Sequence, residues 1–381
     1  MTVVLDRPRG VLPPVTVASA WWPDVEPVVA ALRERFGLDV TVLRLLGGDG
    51  DDVTYLGELS EPSASARWLS PWSGSLPDDD RRLPYARPGG PAADLAWAAG
   101  HVTLAGAPVQ VKTWNLSSIW RLPTTEGTVW LKHVPGFFAH EPLVLAALGP
   151  DAPVPRLVAG ELGRSLLADV PGHDCWAATE TQRAAMVDAL VDVQRWSQPR
   201  LGDLLPLGLP DWRAEPFLLL AADVVGRDAP ADDAGVLHRL VDDLPARFAA
   251  LAECGLPDVL VHGDFHPGNV RWSGDAPVFL DWGDCGVGHP LLDLPAFLER
   301  AGEATERLRR RWLRRWSAAV PGSDPARAAA LIAPLAALRQ AIIYRGFLDG
   351  IEASEHVYHR ADVPLWLGRA ARLAAANPFS A

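Results

Sequence analysis

Apolar and polar positions follow different rhythms in successive parts of the chain, and each rhythm predicts its own elements. Near the N-terminus Val25, Val28, Val29, Leu32 and Phe36 recur at helical spacing, opened by Pro23-Asp24 and closed by Gly37. Two strand-like runs follow, Leu38 to Leu46 and Val53 to Leu59, around the turn Gly47-Gly48-Asp49-Gly50-Asp51-Asp52. This predicts a helix packed on a hairpin. The turn lacks the ordered ligand spacing and terminal Glu of a calcium loop, so a plain turn is expected. From Glu61 to Pro91 the pattern lapses into Pro, Ser and Asp, as in a long surface connection.

From about His101 the rhythm changes to short strands: Val109 to Trp114, Ser118 to Leu122 and Thr128 to His133. Phe137 to Leu148 has helical spacing, with Glu141 near its start and Leu145 and Leu148 on its apolar face. Beyond Gly172 helical spacing dominates, over Thr179 to Trp196, Ala234 to Cys254, Leu291 to Arg300, Thr305 to Val320, Pro325 to Phe347 and Val363 to Ala375.

The helical part is interrupted by the stretch Val259 to Leu294, which holds most of the chemistry. Its apolar run Val259-Leu260-Val261 predicts a buried strand delivering the polar turn His262-Gly263-Asp264-Phe265-His266-Pro267-Gly268-Asn269. Short strands at Val270 to Trp272 and Val278 to Leu280 fold the chain back, so that Asp281 lies near Asn269 and Asp264. Such a group suits phosphoryl transfer. One carboxylate accepts the proton of an attacking hydroxyl, while an amide oxygen and a second carboxylate hold a hard cation. Singly, an Asp or Asn in a glycine-bearing loop is a turn former; the order of loop, hairpin and terminal Asp is what points to chemistry. His266 and Asp284 are expected to have local structural roles, Cys285 to be a small buried side chain, and Asp293 to brace the loop.

This stretch resembles the catalytic segment of the aminoglycoside phosphotransferase and choline kinase family, a small-molecule branch of the protein-kinase-like fold. The likeness lies in His262, Asp264 and Asn269 within H-x-D-x-x-x-x-N and in Asp281-Trp282-Gly283 at the place of D-F-G. It implies an α+β, two-lobed fold, with a small β-rich N-lobe and a mainly helical C-lobe. Residues 1–105 form an extra N-terminal α+β unit with its connection, 106–170 the nucleotide-binding lobe, and 171–381 the lobe with the catalytic loop and acceptor pocket. The resemblance implies Asp264 as catalytic base or hydroxyl-orienting group, Asn269 and Asp281 as magnesium ligands, and His262 as a brace of the loop.

By the same resemblance, Lys132 on the third strand and Glu141 on the next helix form the phosphate-positioning ion pair. No G-x-G-x-x-G lies between the first two strands; Asn115-Leu116-Ser117-Ser118 stands there, and its backbone N–H groups with the hydroxyls of Ser117 and Ser118 are the phosphate candidates. Ser165 to Gly172 resembles the hinge, where Asp169 and Val170 offer main-chain atoms to the adenine edge. The implied activity is transfer from ATP or GTP to a hydroxyl of a small molecule, with an aminoglycoside-like or other antibiotic first, as in resistance by phosphorylation, and a metabolic sugar, amino alcohol or nucleoside next. A non-catalytic nucleotide-binding scaffold is the alternative of another class, and Asp264, Asn269, Asp281 and Lys132 together argue against it. Asp284, Glu299, Arg345, Asp349, Glu352, Glu355 and His356 fall in segments that face the acceptor in relatives, and none is assigned a role.

Composition narrows the setting. A formal charge of −12 argues against a nucleic-acid backbone as partner and permits a cationic acceptor. The arginines of Arg307 to Trp316 alternate with Leu308, Trp312, Leu313 and Trp316 at helical spacing, which predicts a helix anchored by its aromatic face and coated with solvated charge. With 49% hydrophobic residues and no apolar run counted at bilayer length, no membrane partner is expected. The opening MTVVLDRPRGVLPP breaks the apolar segment of a secretory signal, and three cysteines in no cluster suit a reducing compartment, so a cytoplasmic location is expected.

Overall fold

The computed structural model describes residues 1–7, 9–18, 21–50, 52–60 and 67–377. Asp51 of the expected turn and residues 61–66 of the expected connection lie outside the described residues. The chain divides into two compact units, one of Met1–Pro142, Leu157–Asp169 and Leu348–Arg360, the other of Leu143–Arg156, Val170–Phe347 and Ala361–Ala381.

The first unit holds two sheets. β1 (Thr2–Leu5), β2 (Gly10–Val11), α1 (Glu26–Phe36), β3 (Val40–Asp49) and β4 (Asp52–Leu59) form the N-terminal part. The sheet order is β2-β1-β4-β3, with β1 parallel to β4 and the other pairs antiparallel. Val28, Leu32 and Phe36 of α1 cover one face with Val3, Leu5 and Val42; Val4, Leu43 and Leu56 fill the other. Burial on both faces explains the continuous apolar run of β1, which carries no alternation to read. α1 ends as expected at Gly37, whose φ of 66° is left-handed.

Next come α2 (Gly90–Ala99), β5 (Val109–Trp114), β6 (Ser117–Thr124), β7 (Gly127–His133), α3 (Glu141–Leu148, of which Glu141 and Pro142 belong to this unit), β8 (Leu157–Glu161) and β9 (Arg164–Ala168). The second sheet runs β5-β6-β7-β9-β8, antiparallel throughout. The three expected strands at its start are all present. The connection expected to reach Pro91 ends instead at α2, whose Gly90-Pro91 start is a helix N-terminus, since proline there loses no hydrogen bond. Asp94 of α2 is buried and pairs with His133 (2.8 Å) and Arg164 (3.2 Å). The helix expected from Phe137 begins only at Glu141, after a 3₁₀ turn at Gly136–Phe138.

The exposed edge of the second sheet is covered within this unit. The β5–β6 register shifts between Gln110 and Lys112, and the Val111 carbonyl accepts the Val25 N–H (3.1 Å). The Gln110 amide bonds both the N–H and the carbonyl of Val42 (2.9 and 2.7 Å), and the Thr113 N–H donates to Pro23 O (3.0 Å). An edge strand with open N–H and C=O groups would invite pairing with other chains, and these bonds remove that hazard.

The second unit is mainly helical. It contains β10 (His173–Asp174), α4 (Glu180–Ser197), α5 (Leu201–Leu204), α6 (Ala214–Asp228), α7 (Ala234–Glu253), β11 (Val259–Val261), β12 (Val270–Ser273), β13 (Ala276–Phe279), β14 (Gly286–Gly288), α8 (Leu294–Glu299), α9 (Thr305–Ala319), α10 (Pro325–Gly350) and α11 (Asp362–Ala376). Thr179 and Gln182 make a capping box at the start of α4. On α9 Leu308, Trp312 and Trp316 are buried, as the helical spacing predicts, while Arg307, Arg311 and Arg315 pair with Glu180, Asp188 and Asp192. Phe265 stacks on Phe297 (5.0 Å) and meets Phe279 and Trp312 edge-on, so an aromatic core lies beneath the polar turn that follows β11. Burying each such ring contributes about 1.5–3 kcal/mol.

Two expectations need correction here. α10 is long and apolar enough to cross a membrane by length and composition, although no such run was counted in the sequence; 61% of its apolar window is buried in the protein, as in a core helix. The helix expected over Leu291 to Arg300 is split into a 3₁₀ turn, Pro290–Asp293, and α8, because Pro295 resets the start of the α-helix.

Candidate active site

The polar turn after β11 is held from below. β11 pairs antiparallel with β14 and is wholly buried, which fixes where His262 emerges. Gly263 has φ 93°, and a Cβ there would stand 2.0 Å from the Asp284 carbonyl oxygen, so only glycine fits. The buried Asp293 carboxylate accepts the backbone N–H groups of His262 (3.0 Å) and Gly263 (2.8 Å) and the Gln194 amide (3.1 Å). This is the bracing role expected for Asp293. Arg339, also buried, donates to the carbonyls of Gly263 and Asp284 (both 3.1 Å) with its guanidinium over Trp212.

His262 ties the two halves of the site together. Burial pushes its pKa down, so the ring is neutral. Nε2–H donates to the Leu280 carbonyl (2.9 Å), and Nδ1 faces the Asp264 N–H at 3.4 Å. The ring therefore holds the residue before Asp281 against the backbone of Asp264, which is the brace expected of it.

Above this base the structure brings Asp264, Asn269 and Asp281 together, as their order predicts. The Asp264 side chain is 41% exposed and therefore reachable. Burial opposes its charge, but the hydrogen bond from His266 outweighs that, and the carboxyl lies below its ordinary range despite repulsion from Asp281. Asn269 Nδ2 donates to the Asp264 carbonyl (3.0 Å) and to Oδ2 (2.9 Å), which turns its oxygen away from that carboxylate. Asp281 has φ 61°, the one positive φ at a non-glycine position among the described residues. Such a conformation costs about 1–3 kcal/mol and persists where surrounding bonds enforce it; here the Leu280 N–H to Asn269 O bond (2.8 Å) and the His262 bond do so.

The residues expected on the nucleotide side divide. Lys132 Nζ lies 2.8 Å from Glu141 Oε1, both side chains largely buried, so the expected pair is formed. Ser117 and Ser118 are both buried at the start of β6, and Ser117 Oγ accepts the Trp114 indole N–H (3.1 Å). The Asp169 carboxylate accepts the Trp130 indole N–H (2.7 Å), and the Val170 carbonyl accepts Arg271 Nε (2.8 Å).

Four contributors were not singled out in the sequence: Arg339, Gln194, Trp176 and the contact of His266 with Asp264. His266 Nδ1 accepts the Gly268 N–H (3.0 Å), the local role expected, and its Nε2 stands 3.4 Å from Asp264 Oδ2. Trp176 packs on His266 (5.5 Å) and over Gly268, where a Cβ would meet the indole at 2.3 Å. Only the spacing H-x-D-x-H carried a signal, since Arg339 and Trp176 reach the loop from 76 and 90 residues away and Gln194 acts through Asp293.

The phosphotransferase enzyme family model matches residues 109–331, from the first residue of β5 into α10. The chain belongs to that family. No curated protein matches it. Among solved structures, the choline kinase LicA from Streptococcus pneumoniae is similar with TM-score 0.57 at 14% identity, over 76% of this chain and 100% of that one. A macrolide 2'-phosphotransferase type I gives 0.54 at 19%, over 73% and 97%. A thermostable mutant of an aminoglycoside phosphotransferase, in ternary complex with ADP and hygromycin B, gives 0.52 at 18%, over 75% and 98%. The chain thus has the two-lobed fold of these kinases, with β1 to α2 ahead of the matched region, and it is a phosphotransferase.

Proposed function

We propose that the protein moves the terminal phosphoryl group of ATP, as its magnesium complex, to an alcohol oxygen of a small molecule. One observation carries this reading: a single loop sets an ionised, accessible Asp264 beside Asn269 and Asp281. The hydroxyl oxygen forms a bond to phosphorus, the bond from phosphorus to the bridging oxygen breaks, and ADP leaves. The hydroxyl proton passes to Asp264 and then to solvent. Asp264 orients the nucleophile, a role worth about 10²–10⁴ in rate, and Lys132, held by Glu141, meets the phosphates.

The donor set fits magnesium. Asn269 spends its NH₂ on Asp264 and keeps its oxygen for a ligand, and Asp281 is held in a conformation that a turn would not choose unaided. Two hard oxygens, with water and phosphate completing the shell, are what this ion takes. Bound there, it would neutralise phosphate charge.

For the acceptor, the motif's likeness to the antibiotic-modifying branch supports a hydroxyl-bearing antibiotic. The charged groups on the late helices narrow that class: Glu299 pairs with Arg369, and Arg345 with Asp228. Glu352 and Glu355 are buried in the first unit. Carboxylates engaged in this way do not serve a polycation, so the reading favours acceptors with few amines, and a metabolic amino alcohol or sugar is the second reading. We place the activity in the cytoplasm, where ATP is at hand. The test is a magnesium-dependent screen with ATP, and GTP in parallel, over macrolides, aminoglycosides, sugars and choline-like amines, read by product mass. One acceptor gaining one phosphoryl group is the expected result; nucleotide hydrolysis without transfer to any hydroxyl compound would count against it.

A further inference from the structure

The turn between β5 and β6 stands where, on the reading just proposed, the nucleotide phosphates lie. It contains no glycine, yet it replaces a loop that in protein kinases is glycine-rich. In place of mobility it is bound from behind by a segment far along the chain. Asn115 is buried; its Nδ2 donates to the Glu355 carbonyl (3.3 Å), and its Oδ1 accepts His359 Nε2–H (3.0 Å). Trp114 packs against Tyr358 (5.7 Å) and His359 (5.6 Å), and its carbonyl accepts the Tyr85 hydroxyl (2.9 Å).

That segment, Leu348–Arg360, is in turn fastened to the N-terminal sheet. Glu355 Oε1 accepts the Leu45 N–H (3.2 Å), and Glu352 lies between Arg44 (3.4 Å) and Arg82 (3.1 Å). All these groups belong to one compact unit. Sheet, segment and turn form a closed chain of buried bonds, of which only the turn lies within residues 109–331.

We infer that the N-terminal sheet and residues 348–360 hold the β5–β6 turn ready for nucleotide, with Asn115 and His359 as positioning residues. A loop ordered before binding spares the complex the cost of ordering it. This gives residues 1–105 a task in the reaction, and it rests on the nucleotide reading above. Release of the turn raises the dissociation constant for nucleotide, by up to about tenfold or ~1.4 kcal/mol.

The test measures MgADP binding by calorimetry for the full chain, His359→Ala and Asn115→Ser, with hydrogen exchange of the turn amides alongside. Both variants are expected to bind more weakly and exchange faster at residues 114–117, while His359→Gln, which keeps a donor at that reach, recovers affinity. Leu237→Ala, a core truncation on α7, controls for stability alone and keeps wild-type affinity. Either variant, folded and binding MgADP as the wild type does, overturns the inference even if its melting temperature falls. A wild-type protein that does not bind MgADP overturns the nucleotide reading itself, and this inference with it.

Discussion

Asp293→Ala probes the support of the catalytic turn most sharply. The wild-type carboxylate accepts three hydrogen bonds at 2.8–3.1 Å, two of them from the backbone of His262 and Gly263, in a place closed to solvent. A hydrogen bond to a charged acceptor is worth about 1.5–3 kcal/mol, and each buried donor left unpaired costs about 1–3 kcal/mol. These terms do not add fully, because the loop can shift to let water in, so we expect a loss of about 3–5 kcal/mol. A domain's whole stability is about 5–15 kcal/mol, so the variant should still fold. The shift matters more for catalysis: Asp264 follows Gly263 directly, and a displacement of about 1 Å at such a group costs about 10² in rate. Urea unfolding and steady-state turnover on the same preparations measure both effects. Asp293→Asn keeps one acceptor oxygen and should fall between. If Asp293→Ala loses less than about 1 kcal/mol, the size of one ordinary hydrogen bond, and turns over normally, the carboxylate is not what holds the turn.

Asp281→Gly should relieve the left-handed strain, holding or raising stability by about 1 kcal/mol, while abolishing transfer and weakening the magnesium dependence of nucleotide binding; chemical denaturation and a magnesium titration check the two halves. Lys132→Met leaves Glu141 buried beside an apolar chain and should destabilise by about 3–5 kcal/mol, whereas Lys132→Met/Glu141→Gln recovers most of that stability but not MgATP affinity. Glu355, with its carboxyl pushed up to about 8 by burial and then by Glu352, holds a proton when folded that it releases when unfolded near its ordinary 4.5. Wild-type stability is therefore lost as pH rises from about 4.5 to about 8, and Glu355→Gln should melt increasingly above the wild type across that window; a constant gap in melting temperature would refute the assignment.

The grouping of residues in the loop after β11 was legible because they are close in sequence and each has a chemical reason for its type. His262, Asp264, Asn269 and Asp281 span only one strand, one turn and one hairpin, so local geometry brings them together without knowledge of the fold. Lys132 and Glu141 were legible for the same reason, nine residues apart. Long-range partners were not. Arg339 reads in sequence as one more charge on an apolar helix, and only the fold sets it under Gly263. β1 pairs in parallel with a strand some fifty residues away and has no alternating pattern, so nothing local marked it. The turn Asn115-Leu116 with Ser117 and Ser118 reads in sequence as a phosphate candidate; the structure buries those serines and bonds Asn115 to His359, a partner more than two hundred residues downstream that no local pattern marks.

The most direct test of the account follows the terminal phosphorus of labelled ATP into an acceptor hydroxyl, comparing the wild type with Asp264→Ala while measuring MgADP binding of both. The account predicts labelled phosphate ester from the wild type alone, with nucleotide affinity little altered by the substitution. Equal ester formation by Asp264→Ala would contradict it.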